Sequence, residues 1–341
     1  MKKALILPAL VLVATFAFAD TRGTWHINSD NNKLQLDISR GNNNHWGRSV
    51  DLAGFSGLSA DALTSKSETP VKFEMIRDAG TIHFTGSFTD GDGIGRFTFT
   101  PNPQYAAQLR QLGVSGGVDD EDDLFSMAMH DVSTAFIREM QSLGYRENLD
   151  TYTSFRIHGV SAQFVRDMRS LGYNNLSADD LVSFRIHGVT PQFVREMKNL
   201  GYSVDADGLV SFRIHGVTPQ FVGEMKNLGY SVDADDLVSF RIHGVTSQFV
   251  RDMKDLGVRG LDADDVVSMR IHGASTEFVR ELRDLGYANL KSDDLVSMRI
   301  HGVSARFIRD LKDAGYSGIP VEKLVEMKIH GISAEDVKRM K

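Results

Sequence analysis

Asp179–Tyr202 reads DDLVSFRIHGVTPQFVREMKNLGY, and this stretch returns along the chain with small changes every 28 or 29 residues. Its histidine marks the period, at His130, His158, His187, His215, His243, His272, His301 and His330. All but His130 lie in the pattern Arg/Lys-Ile-His-Gly. A period of this size means a stacked array, in which each unit buries its apolar face against its neighbours. Most of the chain is therefore expected to be a scaffold with a long surface.

Each copy predicts two short helices with marked ends. Ser177 is placed to cap the first, Asp180 completes a capping box, and Leu176 and Leu181 form a hydrophobic staple. Gly188 ends it. Thr190 caps the second helix, Pro191 takes its first position, and Val189 staples to Val194. Gly201 closes that helix, with Tyr202 folding back on Met197. Phe193, Val194, Met197 and Leu200 fall in one narrow stripe, so the second helix is expected to be an outer one. Arg195, Lys198 and Asn199 lie on its solvated back and are the candidate partner contacts. On the first helix Leu181, Val182, Phe184 and Ile186 spread over roughly half the circumference, which predicts an enclosed helix.

Residues 20–101 differ. Leu34, Leu36 and Ile38 alternate with polar residues, as do Val71, Phe73 and Met75, then Ile82, Phe84 and Phe88, then Phe97 and Phe99. Alternation of this kind marks half-buried strands. Turn chemistry at residues 28–32, 41–44, 79–80 and 90–93 separates them. The expectation is roughly five to seven antiparallel strands in a small sandwich or open barrel. Trp25 and Trp46 are expected to help fill it. Asn102 caps a helix opened by Pro103, and PQYAAQLRQLGV matches the second half of the repeat. The array therefore runs from residue 102 to 341, as about eight repeats. At ~10 Å per repeat it would be roughly 80 Å long.

Residues 1–19 carry a basic start at Lys2 and Lys3, a short apolar run, and Ala17-Phe18-Ala19 before Asp20. That is the pattern of a secretory signal peptide, and the run is shorter than the ~20 residues a membrane span needs. Its removal leaves 36 basic and 45 acidic side chains, a net charge of −9. A periplasmic or secreted location follows, with no membrane insertion after cleavage. Acids and bases alternate along the repeats, which argues against nucleic acid as a partner. The chain has no cysteine, so thiol catalysis and cysteine-ligated zinc are excluded.

Adjacent rungs of the histidine ladder are ~8–10 Å apart in stacked helices, too far to share one zinc at ~2.1 Å. The favoured role for His187, His215 and His243 is structural: each ends a helix before a glycine, where an imidazole meets the final carbonyls. Joint titration near neutrality is the alternative. Arg185, Arg213 and Arg241 fall within the apolar arc and need partners. The acid of the second helix (Glu196, Glu224, Asp252) is the expected one, forming an ion-pair ladder. A row gripping acidic ligands is the other reading. Asp90-Gly91-Asp92-Gly93 resembles the start of a calcium loop, but Ile94 and Pro101 stand where ligands are required, so a hairpin turn is expected. No hydrolase, metalloprotease or phosphate-loop motif is present, and the chain is read as neither an enzyme nor a cofactor protein.

Phe97–Pro103, the Gly-Val-Thr-Pro-Gln-Phe-Val segments and the Leu-Gly-Tyr closures together resemble an extracytoplasmic repeat region. Such regions are associated with bacterial beta-lactam-sensing membrane metallopeptidase regulators. The resemblance covers residues 20–341, without the membrane spans or the His-Glu-x-x-His of those regulators. It implies a free-standing, exported relative of their sensing or adaptor portion. The resulting reading is an α+β chain: an antiparallel β domain followed by an α-hairpin solenoid. It would act as a non-catalytic scaffold for an envelope or extracellular protein. The alternative places function in the β domain, binding a small molecule or glycan near Trp25, His45 and Trp46, with the repeats as a spacer.

Overall fold

The structure is a computed structural model that describes residues 21–30, 33–40, 44–116 and 121–339. The signal peptide expected over residues 1–19 falls outside the described residues. The chain divides into two compact units, Met1–Arg166 and Asp167–Lys341.

The first unit opens with a single antiparallel sheet of six strands. These are β1 (Thr21–Asp30), β2 (Lys33–Arg40), β3 (Asn44–Val50), β4 (Thr69–Arg77), β5 (Gly80–Thr89) and β6 (Asp92–Pro101). Their order across the sheet is β3-β2-β1-β6-β5-β4, so two three-stranded meanders join where the first strand pairs with the last. The alternation sets the faces. Ile27, Leu36, Ile38, Phe73, Phe84 and Phe99 are buried on one side, and their polar neighbours point to the other. The β5–β6 hairpin turns on Asp90 and Gly91, both at positive φ (51° and 86°). A two-residue turn of this hand matches the twist of the strands it joins.

The sheet remains open, and among the described residues no second sheet packs on it. Helices cover its apolar face instead: α1 (Ala60–Thr64) lies on β5, and a later helix (Glu121–His130) lies on β1, β5 and β6. With α2 (Pro103–Gln111) intervening, that later helix is α3. Its Phe125 stacks on Phe97 at 5.4 Å and meets Phe99 and Trp46 edge-on. The first repeat thus completes the core of the sheet. Asn102 caps α2 with Pro103 at its start, as expected. α4 (Thr134–Ser142) and α5 (Leu149–His158) follow. Asp78, in the β4–β5 turn, accepts hydrogen bonds from Thr134 N and Oγ1 at the start of α4 (2.8 and 2.9 Å).

After α6 (Ala162–Ser170), the second unit alternates first and second helices. The first helices are α7 (Ala178–His187), α9 (Ala206–Ile214), α11 (Ala234–Ile242), α13 (Ala263–Ile271), α15 (Ser292–Ile300) and α17 (Val321–Ile329). Between them come α8 (Pro191–Asn199), α10 (Pro219–Asn227), α12 (Ser247–Asp255), α14 (Thr276–Asp284) and α16 (Ala305–Asp313), and α18 (Ala334–Arg339) ends the series. First helices stack on first helices and second on second, giving two layers. Leu181 and Phe184 of one layer and Phe193, Val194 and Met197 of the other are buried. The ends follow their signals. Ser177 and Asp180 form a full capping box, and Gly188 closes α7 at φ 70°. Tyr202 N donates to Met197 O at 3.0 Å, the long-range bond of a Schellman close. Among the described residues no helix is long and apolar enough to cross a membrane.

Candidate functional site

The first helices are not enclosed. Ile186, Ile214, Ile242, Ile271, Ile300 and Ile329 are 54–58% exposed, and Ile157 of α5 is 52% exposed. The cause is rotation. Leu181 and Phe184 fix the inward direction of α7, and at 100° per residue Ile186 points roughly opposite to it. Val182 lies between and is half-buried. Counting every apolar residue as inward hid this; measuring angles from Leu181 and Phe184 alone reveals it. An exposed acid, Asp179, stands two turns before Ile186 on the same outward line. The same acid–valine–isoleucine spacing, followed by the histidine, recurs at 207–215, 235–243, 264–272 and 293–301.

Arg213, Arg241, Arg270 and Arg299 stand on rings of the preceding repeat, where an acid of the second helix was expected. Arg213 lies over the ring of Phe193, one repeat back, at 5.1 Å, and its Nε donates to the carbonyl of His187 at 3.2 Å. Arg241 stands over Phe221, Arg270 over Phe249 and Arg299 over Phe278, each at 5.0–5.1 Å. Lys328 takes the place over Phe307. A guanidinium on a ring face is attracted by the ring quadrupole and keeps its edge free to donate to acceptors. This placement explains the glycine of the motif. A Cβ on Gly188 would come 3.0 Å from the Arg213 guanidinium, and its φ of 70° excludes most side chains. The acids of the second helices pair along their own layer: Asp252 with Arg280 at 3.9 Å and Glu281 with Arg309 at 3.5 Å.

Of the candidate partner contacts, Arg195 and Asn199 are exposed. Lys198 is instead spent within the array. Its ammonium lies over the Tyr173 ring at 5.0 Å and donates to Leu171 O. Lys226 and Lys254 repeat this on Tyr202 and Tyr230. The tyrosine hydroxyls reach forward, Tyr202 to Val232 O (2.7 Å) and Tyr230 to Leu261 O (2.6 Å). Burial, with the nearby Asp262 and Asp265 carboxylates, pushes the Tyr230 phenol up to about 12.

The histidines sit at the C-terminal ends of the first helices; His187 and His243 are exposed and His215 half-buried. Among the described residues no three histidine, aspartate or glutamate side chains gather as a metal site. His130 differs from the rest. Burial, followed by the charges of Arg48 and Arg156, holds its imidazole below the ordinary value. Around it the end of α3 is closed by arginines: Arg48 donates to Met129 O, and Arg156 to His130 O and Asp131.

The three β-domain candidates are not brought together. Trp25 is 2% exposed and its indole N–H is shared between Thr85 O (3.2 Å) and Arg96 O (3.1 Å). Trp46 faces the same covered side, against Phe125. His45 points to the open side, 2.8 Å from Ser39 Oγ. That open side holds a shallow depression of about 610 Å³ lined by Thr24, His26, Asp37, Ser39, Ile94 and Arg96. In it His26 bridges Asp92 (2.6 Å) and Asp37 (3.8 Å).

No protein-family model matches this chain, and no curated protein matches it.

Proposed function

We propose that this protein is a non-catalytic, exported scaffold that docks a protein partner in the cell envelope, as a sensing or adaptor part. One observation carries the reading: the outward isoleucine repeated in seven copies. Buried positions of the same helices vary, Leu181 becoming Val266 and Phe184 becoming Met269, while the exposed isoleucine does not change. Packing does not require it, and isoleucine is no better a helix former than its alternatives. Apolar side chains in a row on adjoining helices, rimmed by charge, mark an interaction face. The leader pattern supports export, and the resemblance of the repeats supports a sensing or adaptor role.

The test is crosslinked co-purification of the mature chain from its own envelope, read by mass spectrometry. It compares the wild type with a variant carrying I214D, I242D and I271D. One dominant protein lost in the folded variant supports docking on this face. An unchanged set of captured proteins removes it. A second reading follows from the polar depression on the open sheet face, which suits a small hydroxylated ligand. Loss of sugar binding on Arg96→Ala in the full mature chain would favour that reading.

A further inference from the structure

We infer that the isoleucine face is where two copies of this chain meet, first helix against antiparallel first helix. The inference rests on the docking reading above and names the occupant.

The face is complementary to itself. Each first helix opens with an exposed acid, such as Asp207, and ends with an exposed isoleucine, such as Ile214, on one outward line, with the histidine, such as His215, at the C-terminal end beside it. The half-buried Val210 lies between. A half-turn about an axis lying in the face, across the helices, apposes two copies and reverses this order. The acidic start of one helix then lies beside the histidine end of the other, and isoleucine packs against valine in both directions. The helix dipoles oppose as well, positive end near negative end. Such an interface is isologous, the commonest kind in soluble oligomers.

Spacing selects the same occupant. Stacked helices present one isoleucine every ~8–10 Å. A bound strand advances ~3.3 Å per residue and returns a side chain to one face every ~6.6 Å, out of step with the row. A foreign helix with a heptad stripe advances ~10.5 Å per heptad and gains ~0.5–2.5 Å on the row at each rung. A second copy has the same spacing by construction, so several rungs engage together and their contributions combine.

The test is sedimentation equilibrium of the mature chain over a wide concentration range. The wild type is expected at twice the monomer mass. The I214D, I242D and I271D chain is expected as a monomer with unchanged helical content and melting. Alanine at the same three positions keeps helix propensity and covers the case in which the aspartates unfold. Each isoleucine removed weakens the dimer by roughly tenfold. Lysine in place of Asp207, Asp235 and Asp264 weakens it too, because those acids face the basic ends of the partner.

A wild type that stays monomeric overturns the inference, as does a dimer indifferent to the isoleucine or aspartate changes. A monomer that still loses an envelope partner when the isoleucines are replaced leaves docking standing and removes only self-association. A monomer with no such partner removes both.

Discussion

Arg213 joins two repeats through a ring and a carbonyl, so its loss is felt between them. Methionine there keeps the stem but loses the attraction to Phe193 and the bond to His187 O. Arg213→Met is expected to cost about 1–2 kcal/mol, read as a lower urea midpoint with an unchanged slope. Tyr230 gives a pH prediction. Its phenol, ordinarily near 10, is pushed up to about 12 in the folded chain by burial and then by Asp262 and Asp265. The folded state therefore holds this proton more tightly. The resulting stability is whole below pH 10 and is lost as pH rises through 12. Melting temperatures across this window, compared with those of Tyr230→Phe, check it. The substitution should flatten the alkaline decline. At this scale the sequence showed which residues recur but not what each touches. The partner of Arg213 is Phe193, twenty positions back, while the acid expected for it, Glu224, lies eleven ahead. Periodicity fixes rows, and rows leave open which neighbouring repeat a long side chain reaches.

Among the helices, α10 is marked by a glycine where its counterparts carry arginine. Gly223 has ordinary helical backbone, and a Cβ there would meet nothing within 4 Å. Gly223→Ala is expected to stabilise the protein by about 0.5–1 kcal/mol, measured by denaturant titration. Gly208 in α9 is the control. A Cβ there would come 2.8 Å from Val204 Cβ, so the same change should yield no comparable gain. Helix ends were the most legible elements, because caps are local chemistry. Ser177 with Asp180, Thr190 with Pro191, and Tyr202 with Met197 all stand within a few residues of each other. The outward isoleucine was not legible as a surface feature. In a helix this short, apolar residues on both sides leave the direction of burial open until Leu181 and Phe184 are known to point inward.

For the molecule as a whole, the sheet and the first repeats share one core within the first unit. Phe125 of α3 supplies the ring that Phe97, Phe99 and Trp46 pack against. Phe125→Ala is expected to cost about 3–5 kcal/mol and to loosen the sheet, seen as faster hydrogen exchange in β1 and β6. The strand content and the cap of α2 at Asn102 could be read from alternation and capping. That a helix would close the sheet could not, because the contact joins segments far apart in sequence. Elsewhere, the rungs that link repeats, arginine on ring, lysine on carbonyl and tyrosine hydroxyl on carbonyl, each join one repeat to the next. The contacts are thus indifferent to how many repeats lie beyond them. A coding segment of one period, duplicated or excised in frame, changes the chain without altering any contact type. The length of the array is accordingly a matter of copy number, each added or removed period leaving the same kind of link between its neighbours.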